Sequence, residues 1–498
     1  MDVISERALK EKIMAIMKPQ ILVGFILLFS LFTISPSLYA NNSIELPSIG
    51  DISVTTISEE QRIGSAWLKQ YRRQVPTSAD LIIIDYLEKL LESLASHSDV
   101  DYPSLSLVVA KNPSLNAFAV PGGVIGIHTG LFNYAKTEQQ LASVLSHELA
   151  HLSQRHYARG VDKQKSQSLT TMATLLASLI LVATTDGDAG IAALSASQAY
   201  AIDQQLRFSR SFEREADRIG MDILVKAGMD PHATEAMFTQ MERLTRFSSK
   251  PPEFLLTHPL TTNRIIDAIN LARQYPKREV TENINYQLVR ARALLDTEES
   301  PQQAIIRFRR ELSGFDTSID GSRYGLAVAL NDDEKFDEAE KNLQILLEKY
   351  PDNLILRITQ SDILAGKGQA EAAIMSIKAL LKQHPSYFPL AMQLSQLYRR
   401  QQNYTDAKNV LIQMSEQRKQ DPAIWYELAE VAGLNNDTSQ LHKARAEYFI
   451  LHANFDNAEQ QLQALLTREG LINKQSLFYL YAQQRIENLD KLRKSAKL

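Results

Sequence analysis

The sequence predicts a mainly α-helical protein with a small β-sheet in its first half and an α-solenoid in its second half. An amphipathic helix is predicted over Thr137–Arg155, where apolar residues recur at three- and four-residue steps. Short runs of β-type residues are concentrated between residues 104 and 128, just before that helix. From about residue 300 onward, amphipathic helices recur with a period near 34 residues, which is typical of stacked helix pairs.

The composition is that of a folded protein with two to four domains in 498 residues. A formal net charge of −4 argues against a nucleic-acid-binding protein, which usually presents a basic face. Residues 1–40 predict a signal peptide, because lysines precede the apolar run Ile21–Ile34 and cleavage is expected after Ala40. The alternative is an uncleaved membrane anchor. An exported chain without cysteine forms no disulfides and fits a bacterial periplasm best.

The predicted strands lie between residues 104 and 128, and the last two flank a Pro-Gly-Gly turn. They follow two predicted helices, Ser58–Val75 and Ala79–Ser96, and their bounds are Ser104–Val109, Asn116–Val120 and Val124–His128. If Ala117, Phe118, Ala119 and Val120 form an edge strand, they can pair with the main chain of an extended substrate. The alternative is that this strand is ordinary sheet structure.

An unusually apolar stretch, Met172–Ala201, predicts a helical hairpin that packs on the domain formed by the first half of the chain. The alternative is an exposed flap that makes peripheral contact with the outer membrane or with a membrane-embedded partner. Further helices are predicted over Arg207–Ala227, from Asp230 onward and from about Thr261 to Gln274, before a linker near residues 275–279.

The second half carries a tetratricopeptide-type repeat over residues 277–498. Alanines at equivalent positions are 35, 34 and 34 residues apart, namely Ala304, Ala339, Ala373 and Ala407. Near Asn435–His442 the register slips, and Ala458 resumes it 51 residues after Ala407. Stacked helix pairs form a concave face, which predicts a binding surface for protein partners.

The Thr137–Arg155 helix contains the motif His147-Glu148-Leu149-Ala150-His151. Residues four apart share a helix face, so His147 and His151 can bind one metal ion. Glu148 then lies beside the metal, where a carboxylate can take a proton from water, as in zinc peptidases. Thr137 with Gln140 predicts a capping box at the start of the helix.

A catalytic zinc site needs a third protein ligand, and three candidates were compared. The position six residues after His151 is Tyr157, which excludes the metzincin pattern. His156 lies about 140° past the ligand face and can join only if the helix breaks, so we expect a polar residue near the helix end.

The third candidate is Glu213, with Asp217 on the same face of a later helix. Glu213 can bind zinc, and Asp217 can accept the free ring N–H of a ligand histidine. Glu215 lies about 200° from Glu213 and is expected to be solvated. The alternative is a charged helix face without a metal.

The sequence resembles the HtpX-like and CAAX-prenyl-protease-like metallopeptidases. The resemblance is carried by His-Glu-x-x-His, by Glu-x-x-x-Asp within the stretch Ser209–Asp217, by Asn116–Gly123, by Gly130-Leu131 and by Thr257-His258-Pro259 with Arg264. It implies a gluzincin-type zinc metallopeptidase domain over residues 41–276 with one zinc ion per chain. It also implies that His147, His151 and Glu213 are the zinc ligands, that Glu148 is the catalytic base and that Asp217 is the family's acidic residue one turn later.

The resemblance further implies a periplasmic zinc metalloendopeptidase that cuts misassembled outer-membrane β-barrel proteins and assists their assembly as a chaperone. The repeats would contact these clients and the outer-membrane assembly machinery. Two alternatives remain: an assembly chaperone whose zinc site is structural or vestigial, and a membrane-anchored peptidase.

His258 lies before a proline in a predicted loop, a more mobile setting than a helix. We hypothesise that it approaches the zinc, takes the water position and holds the enzyme inactive. The alternative is a structural or substrate-binding histidine. Arg264 and Tyr157 are weaker candidates for stabilising the oxyanion of the reaction.

Overall fold

The structure is a computed structural model that describes residues 56–162, 210–247, 252–277, 282–315 and 318–496, together with residues 177 and 180. The predicted signal peptide lies outside the described residues, as does the predicted hairpin 172–201 apart from those two positions. The helices and small sheet confirm the predicted fold class. No helix within the described ranges combines the length and apolar character that a bilayer crossing requires.

The first half of the chain contains a small sheet surrounded by helices. Among the described residues, two helices come first, then three strands and a 3₁₀ turn, and then six further helices. Their bounds are α1 Ile57–Gln74, α2 Leu81–Ala95, β1 Ser106–Ala110, β2 Ala117–Val120, β3 Val124–His128, the 3₁₀ turn Thr129–Asn133, α3 Glu138–Ser153, α4 His156–Asp162, α5 Arg210–Lys226, α6 His232–Phe247, α7 Glu253–Thr257 and α8 Thr262–Ala272.

The sheet has the order β1-β3-β2, with β1 parallel and β2 antiparallel to β3. The predicted Pro-Gly-Gly turn joins β2 to β3, and Gly122 and Gly123 have φ of 88° and 82°, a conformation that glycine adopts without strain. Within the described part of the chain β2 lies at one edge of this sheet, and all four of its residues are buried. It packs against α3, the helix that carries the His-Glu-x-x-His motif.

The helix α3 begins as the sequence predicts. The Thr137 side chain accepts a hydrogen bond from the Gln140 N–H, and the Gln140 side chain accepts one from the Thr137 N–H, which is the predicted capping box. Leu141, Leu145 and Leu149 are fully buried, because α3 runs through the middle of the core. Its central position fixes the two histidines in the interior of the protein.

The second half is a continuous stack of antiparallel helices. Their bounds are α9 Ile284–Leu295, α10 Pro301–Arg310, α11 Ile319–Asp332, α12 Phe336–Lys349, α13 Leu354–Gly366, α14 Ala370–Gln383, α15 Phe388–Arg400, α16 Tyr404–Gln417, α17 Pro422–Leu434, α18 Thr438–Leu451, α19 Phe455–Ile472 and α20 Leu477–Ala496. A π-helical turn, Glu311–Phe315, follows α10. Ala304, Ala339, Ala373 and Ala407 are all buried at equivalent contacts between helices.

The predicted register slip has a simple structural cause. The 51 residues from Ala407 to Ala458 equal one and a half periods, so one extra helix separates the two positions. That helix is α18, which packs against both α17 and α19. The stack therefore continues through Asn435–His442 without interruption.

The repeat helices pack directly on the first half of the chain. Gln287 and Arg290 of α9 donate hydrogen bonds of 2.9 Å to the carbonyls of Lys136 and Phe132, just before α3. Arg418 forms an ion pair of 2.9 Å with Glu88 of α2. One core of buried side chains runs from Leu81 to Leu451, and the last helices add a smaller cluster around Leu462. The stack thus supports the same core that contains α3.

Candidate metal centre

Four potential metal ligands converge beside α3. His147, His151, Glu213 and His258 each offer one ligand atom, and these atoms lie within 4.8 Å of one another. All four side chains are buried. Helix α5, which carries Glu213, approaches α3 closely at Gly220, where a Cβ atom would lie 3.1 Å from the His147 backbone. A larger residue there would push α5, and with it Glu213, away from the two histidines.

His147 is held from behind by a carboxylate. Its Nδ1 lies 3.1 Å from Asp217 Oδ1, which leaves Nε2 facing His151 Nε2 at 3.1 Å. Burial would lower the pKa of His147, but Asp217 and Glu213 raise it to about 9. The surrounding carboxylates thus favour positive charge at this position, as a cation site requires.

Arg264 connects the two carboxylates of α5. Its Nε and Nη2 each donate a 2.7 Å hydrogen bond to Asp217, its Nη1 lies 2.8 Å from Glu213 Oε2, and Nη1 also donates to the Pro259 carbonyl. Burial would raise the pKa of Glu213, but His258 and Arg264 hold it well below its usual range. Because Arg264 is occupied by these contacts, its position fits a residue that holds the Glu213 carboxylate in place better than one that donates to an oxyanion.

Glu148 faces the same cluster. Its carboxylate is buried, the backbone N–H of Ala119 interacts with it, and His258 Nε2 lies 3.5 Å from Oε1. Burial raises the pKa of Glu148. A buried carboxylate next to two histidines is suited to accept a proton.

His258 lies within the cluster, but not on an open loop as the sequence suggested. It terminates the short helix α7, its N–H bonds to the Phe254 carbonyl, and only 1% of the residue is exposed. Its Nδ1 is 3.3 Å from His147 Nε2 and 3.2 Å from Glu213 Oε1. The packing of α7 therefore places His258 at the ligand group instead of leaving it mobile.

The expectation that His156 is an ordinary polar residue near a helix end was wrong. α3 ends at Ser153, and α4 begins at His156, so the helix breaks between them. His156 is buried, and its Nδ1 lies 2.9 Å from His151 Nδ1. The sequence does show a third histidine five residues after the motif. On an unbroken helix, however, that residue would point away from the metal ligands.

Two other predicted positions lie close to the cluster. Burial, together with nearby Glu148 and Glu213, raises the pKa of Tyr157, so its phenol remains protonated. Glu215 was predicted to be solvated, and one third of its side chain is exposed. The rest contacts His156 and Arg159, which the prediction did not include. Its solvated part and its ion pair both reflect a position at the edge of the cluster.

The donor set fits zinc. Two imidazole nitrogens and a carboxylate are typical ligands of a catalytic zinc ion, whereas calcium and magnesium prefer oxygen ligands alone. Asp217 behind His147 supplies the outer carboxylate that commonly orients a ligand histidine. The buried carboxylate of Glu148 lies beside these donors, where it can act on a reactant held at the site.

Comparisons with known proteins agree with this geometry. The family "Peptidase family M48" matches residues 84–271, and "Tetratricopeptide repeat" matches residues 364–431. A protein of Vibrio cholerae is 35% identical over 85% of this chain and 88% of its own length. The "Beta-barrel assembly-enhancing protease" of Escherichia coli is 31% identical over 97% of this chain and 98% of its own length.

A more distant relative matches a smaller share of the chain. The human "Metalloendopeptidase OMA1, mitochondrial" is 29% identical over 40% of this chain and 39% of its own length. The peptidase match, the buried histidine–glutamate cluster and the long alignments to bacterial relatives agree. The chain therefore belongs to the β-barrel assembly-enhancing proteases, which are zinc-type metallopeptidases of family M48.

Proposed function

We propose that the chain is a periplasmic zinc metalloendopeptidase that degrades misassembled outer-membrane β-barrel proteins and assists the assembly of others. The observation that carries this proposal is the convergence of His147, His151 and Glu213 in one buried cluster, with the buried carboxylate of Glu148 beside it. The name of the Escherichia coli relative supports the client class. The repeat stack supports a role in binding protein partners.

In the proposed reaction, His147, His151 and Glu213 hold the metal and Glu148 transfers the proton. A zinc ion bound there would polarise the scissile carbonyl and activate water at neutral pH. Glu148 accepts the proton of the attacking water and passes it to the leaving amine. Asp217 and Arg264 keep the ligands in place, because they fix the His147 ring and the Glu213 carboxylate.

We propose that an extended client segment pairs with the edge strand Ala117–Val120. This strand lies at one edge of the sheet and against α3. Main-chain pairing with an edge strand tolerates many side chains, which suits a protease that recognises unfolded chains and not a sequence. Folded proteins would be excluded, since their main chains are already paired.

We further propose that His258 masks the metal when no client is bound. Its position among the ligand atoms, with Nε2 near Glu148, supports this role. In that state four protein groups would hold the zinc ion, as in closed structural sites, and water would have no access to it. Displacement of His258 would open the water position.

The same four-group cluster supports a second candidate function. Structural zinc sites are usually closed by four protein ligands, so a non-proteolytic assembly chaperone with a structural zinc site is the alternative. The two candidates differ in whether Glu148 performs chemistry.

The variant Glu148→Gln distinguishes them. It keeps the size of the side chain but removes the base, so we expect zinc binding to be retained and proteolysis of an unfolded outer-membrane β-barrel protein to fall by about 10²–10⁴-fold. The matched control Glu242→Gln, at an exposed pair with Arg246, should retain activity. Unchanged proteolysis by Glu148→Gln would refute Glu148 as the base, and a wild-type chain without proteolysis would favour the chaperone.

A further inference from the structure

The helix that carries the His-Glu-x-x-His motif ends at Ser153, and the next helix begins at His156. Arg155 adopts φ of 48°, a left-handed conformation that is unfavourable for a residue with a side chain. Its guanidinium donates hydrogen bonds of 3.1 and 2.8 Å to Glu60 Oε1, and Tyr102 donates to the other oxygen of Glu60. These contacts hold the turn in place and return His156 to the side of α3 that faces His151.

His156 is buried, and among the described residues it contacts an aromatic ring, a histidine and a carboxylate. Its ring stacks on Phe212 with the centroids 4.5 Å apart and the planes 11° from parallel. One nitrogen, Nδ1, lies 2.9 Å from His151 Nδ1, and the other, Nε2, lies 3.2 Å from Glu215 Oε2. Arg159 in turn lies 3.1 Å from Glu215. The ring therefore bridges a metal-ligand candidate and a carboxylate.

The positions of the hydrogens follow from chemistry. His151 Nε2 faces His147 Nε2 and Glu213, so this nitrogen is the one available to a metal and must carry a lone pair. Its Nδ1 then carries the hydrogen and donates to His156 Nδ1. The remaining His156 nitrogen, Nε2, consequently carries a hydrogen and donates to Glu215, which can only accept. Each link determines the next.

We infer that His156 is a positioning residue that fixes the ring and tautomer of His151, with Glu215 and Arg159 anchoring its far side. The inference rests on the proposed zinc site and deepens it. Ligand histidines usually donate their second N–H to a carboxylate, a carbonyl or water, and Asp217 accepts this hydrogen bond directly from His147. For His151 the acceptor is His156. His156 in turn donates to the carboxylate of Glu215, so Glu215 orients His151 through His156.

The test measures zinc affinity of the full chain by competition with a chromophoric chelator. His156→Phe keeps an aromatic ring against Phe212 but removes the acceptor, so we expect affinity to fall about 10–100-fold. His156→Gln retains an acceptor and a donor on one side chain and should recover most of that loss. Glu215→Leu should cause a smaller loss, since His156 would keep its ring position. The control His442→Phe, in the repeats, should bind zinc as the wild type does.

The outcomes separate this inference from the zinc site itself. If His151→Ala binds zinc as tightly as the wild type, the proposed site is wrong. If His151→Ala loses zinc but His156→Phe does not, only the positioning role is wrong. Equal losses in His156→Phe and His156→Gln would also overturn it, because they would indicate a packing role. A Co²⁺ absorption spectrum that changes in His156→Phe and returns in His156→Gln would support it independently of activity.

Discussion

The metal cluster and the core of the repeat stack are both buried, but different forces hold them. The cluster joins residues from positions 147, 213, 258 and 264 through charges and hydrogen bonds in the core. In the repeats, neighbouring helices pack through apolar side chains such as Leu343, Ile377 and Leu411, while ion pairs such as Arg309–Glu338 are exposed.

This difference predicts how each region responds to mutation. In the cluster, each charged group compensates another, so removal of one leaves its partner buried without compensation. In the stack, each helix contacts its neighbours, and the energy is spread over many similar contacts. Substitutions in the cluster should therefore have larger effects than substitutions in the repeats, and their effects should depend on metal.

The largest difference is expected between two arginines. Arg264→Ala would leave Asp217 and Glu213 without the guanidinium that pairs with both, so the free energy of unfolding of the metal-free chain should fall by about 3–5 kcal/mol. Arg309→Ala removes an ion pair with Glu338 in which both side chains are more than half exposed. We expect this substitution to change the free energy of unfolding by about 1 kcal/mol or less. Urea denaturation followed by circular dichroism measures both. Similar losses would contradict the comparison.

An intermediate effect is expected from packing within the stack. Gly325→Ala places a Cβ atom 2.3 Å from the buried Phe308 ring, and such overpacking should lower the free energy of unfolding by about 1–3 kcal/mol. Gly433→Ala is the matched control, because its Cβ would meet nothing closer than 3.8 Å and alanine favours a helix by about 1 kcal/mol. The same denaturation experiment should show opposite signs. If Gly433→Ala were destabilised as well, the loss in Gly325→Ala could not be attributed to the contact with Phe308, and the prediction would be wrong.

The smallest effect concerns regulation of the cluster. If His258 masks the metal, His258→Ala should raise proteolysis of an unfolded substrate, by about 10-fold if the masked state is favoured by about 1.4 kcal/mol. His384→Ala, an exposed histidine of the repeats, serves as a control and should leave the rate unchanged. Initial cleavage rates at equal zinc loading provide the measurement. An unchanged or lower rate in His258→Ala would exclude the masking role.

Prediction from sequence succeeded where the signal is periodic. The capping box at Thr137, the shared face of His147 and His151, and the 34-residue repeat are all local patterns, and the structure contains the elements that they predict. It failed at His156, because the helix was assumed to continue past Ser153. The break depends on Arg155 and on Glu60, which lies 95 residues away, so no local pattern reveals it.

Arg264 and His258 show the same limit. The sequence suggested both as functional positions, but it could not show that Arg264 pairs with two carboxylates or that α7 buries His258 beside Glu148. Those contacts depend on how separate helices pack, and a one-dimensional sequence does not specify their distances.

Local sequence patterns were enough to predict the helix that carries the metal motif, its candidate ligands and the period of the repeats, because side chains at fixed spacings share a helix face. The groups that support those ligands became evident from the packing of the helices. That packing placed Asp217 behind His147, His156 behind His151, and the repeat helix α9 against the chain just before α3. Burial and charge compensation act between residues that are distant in the chain, so their partners become defined only when the core forms.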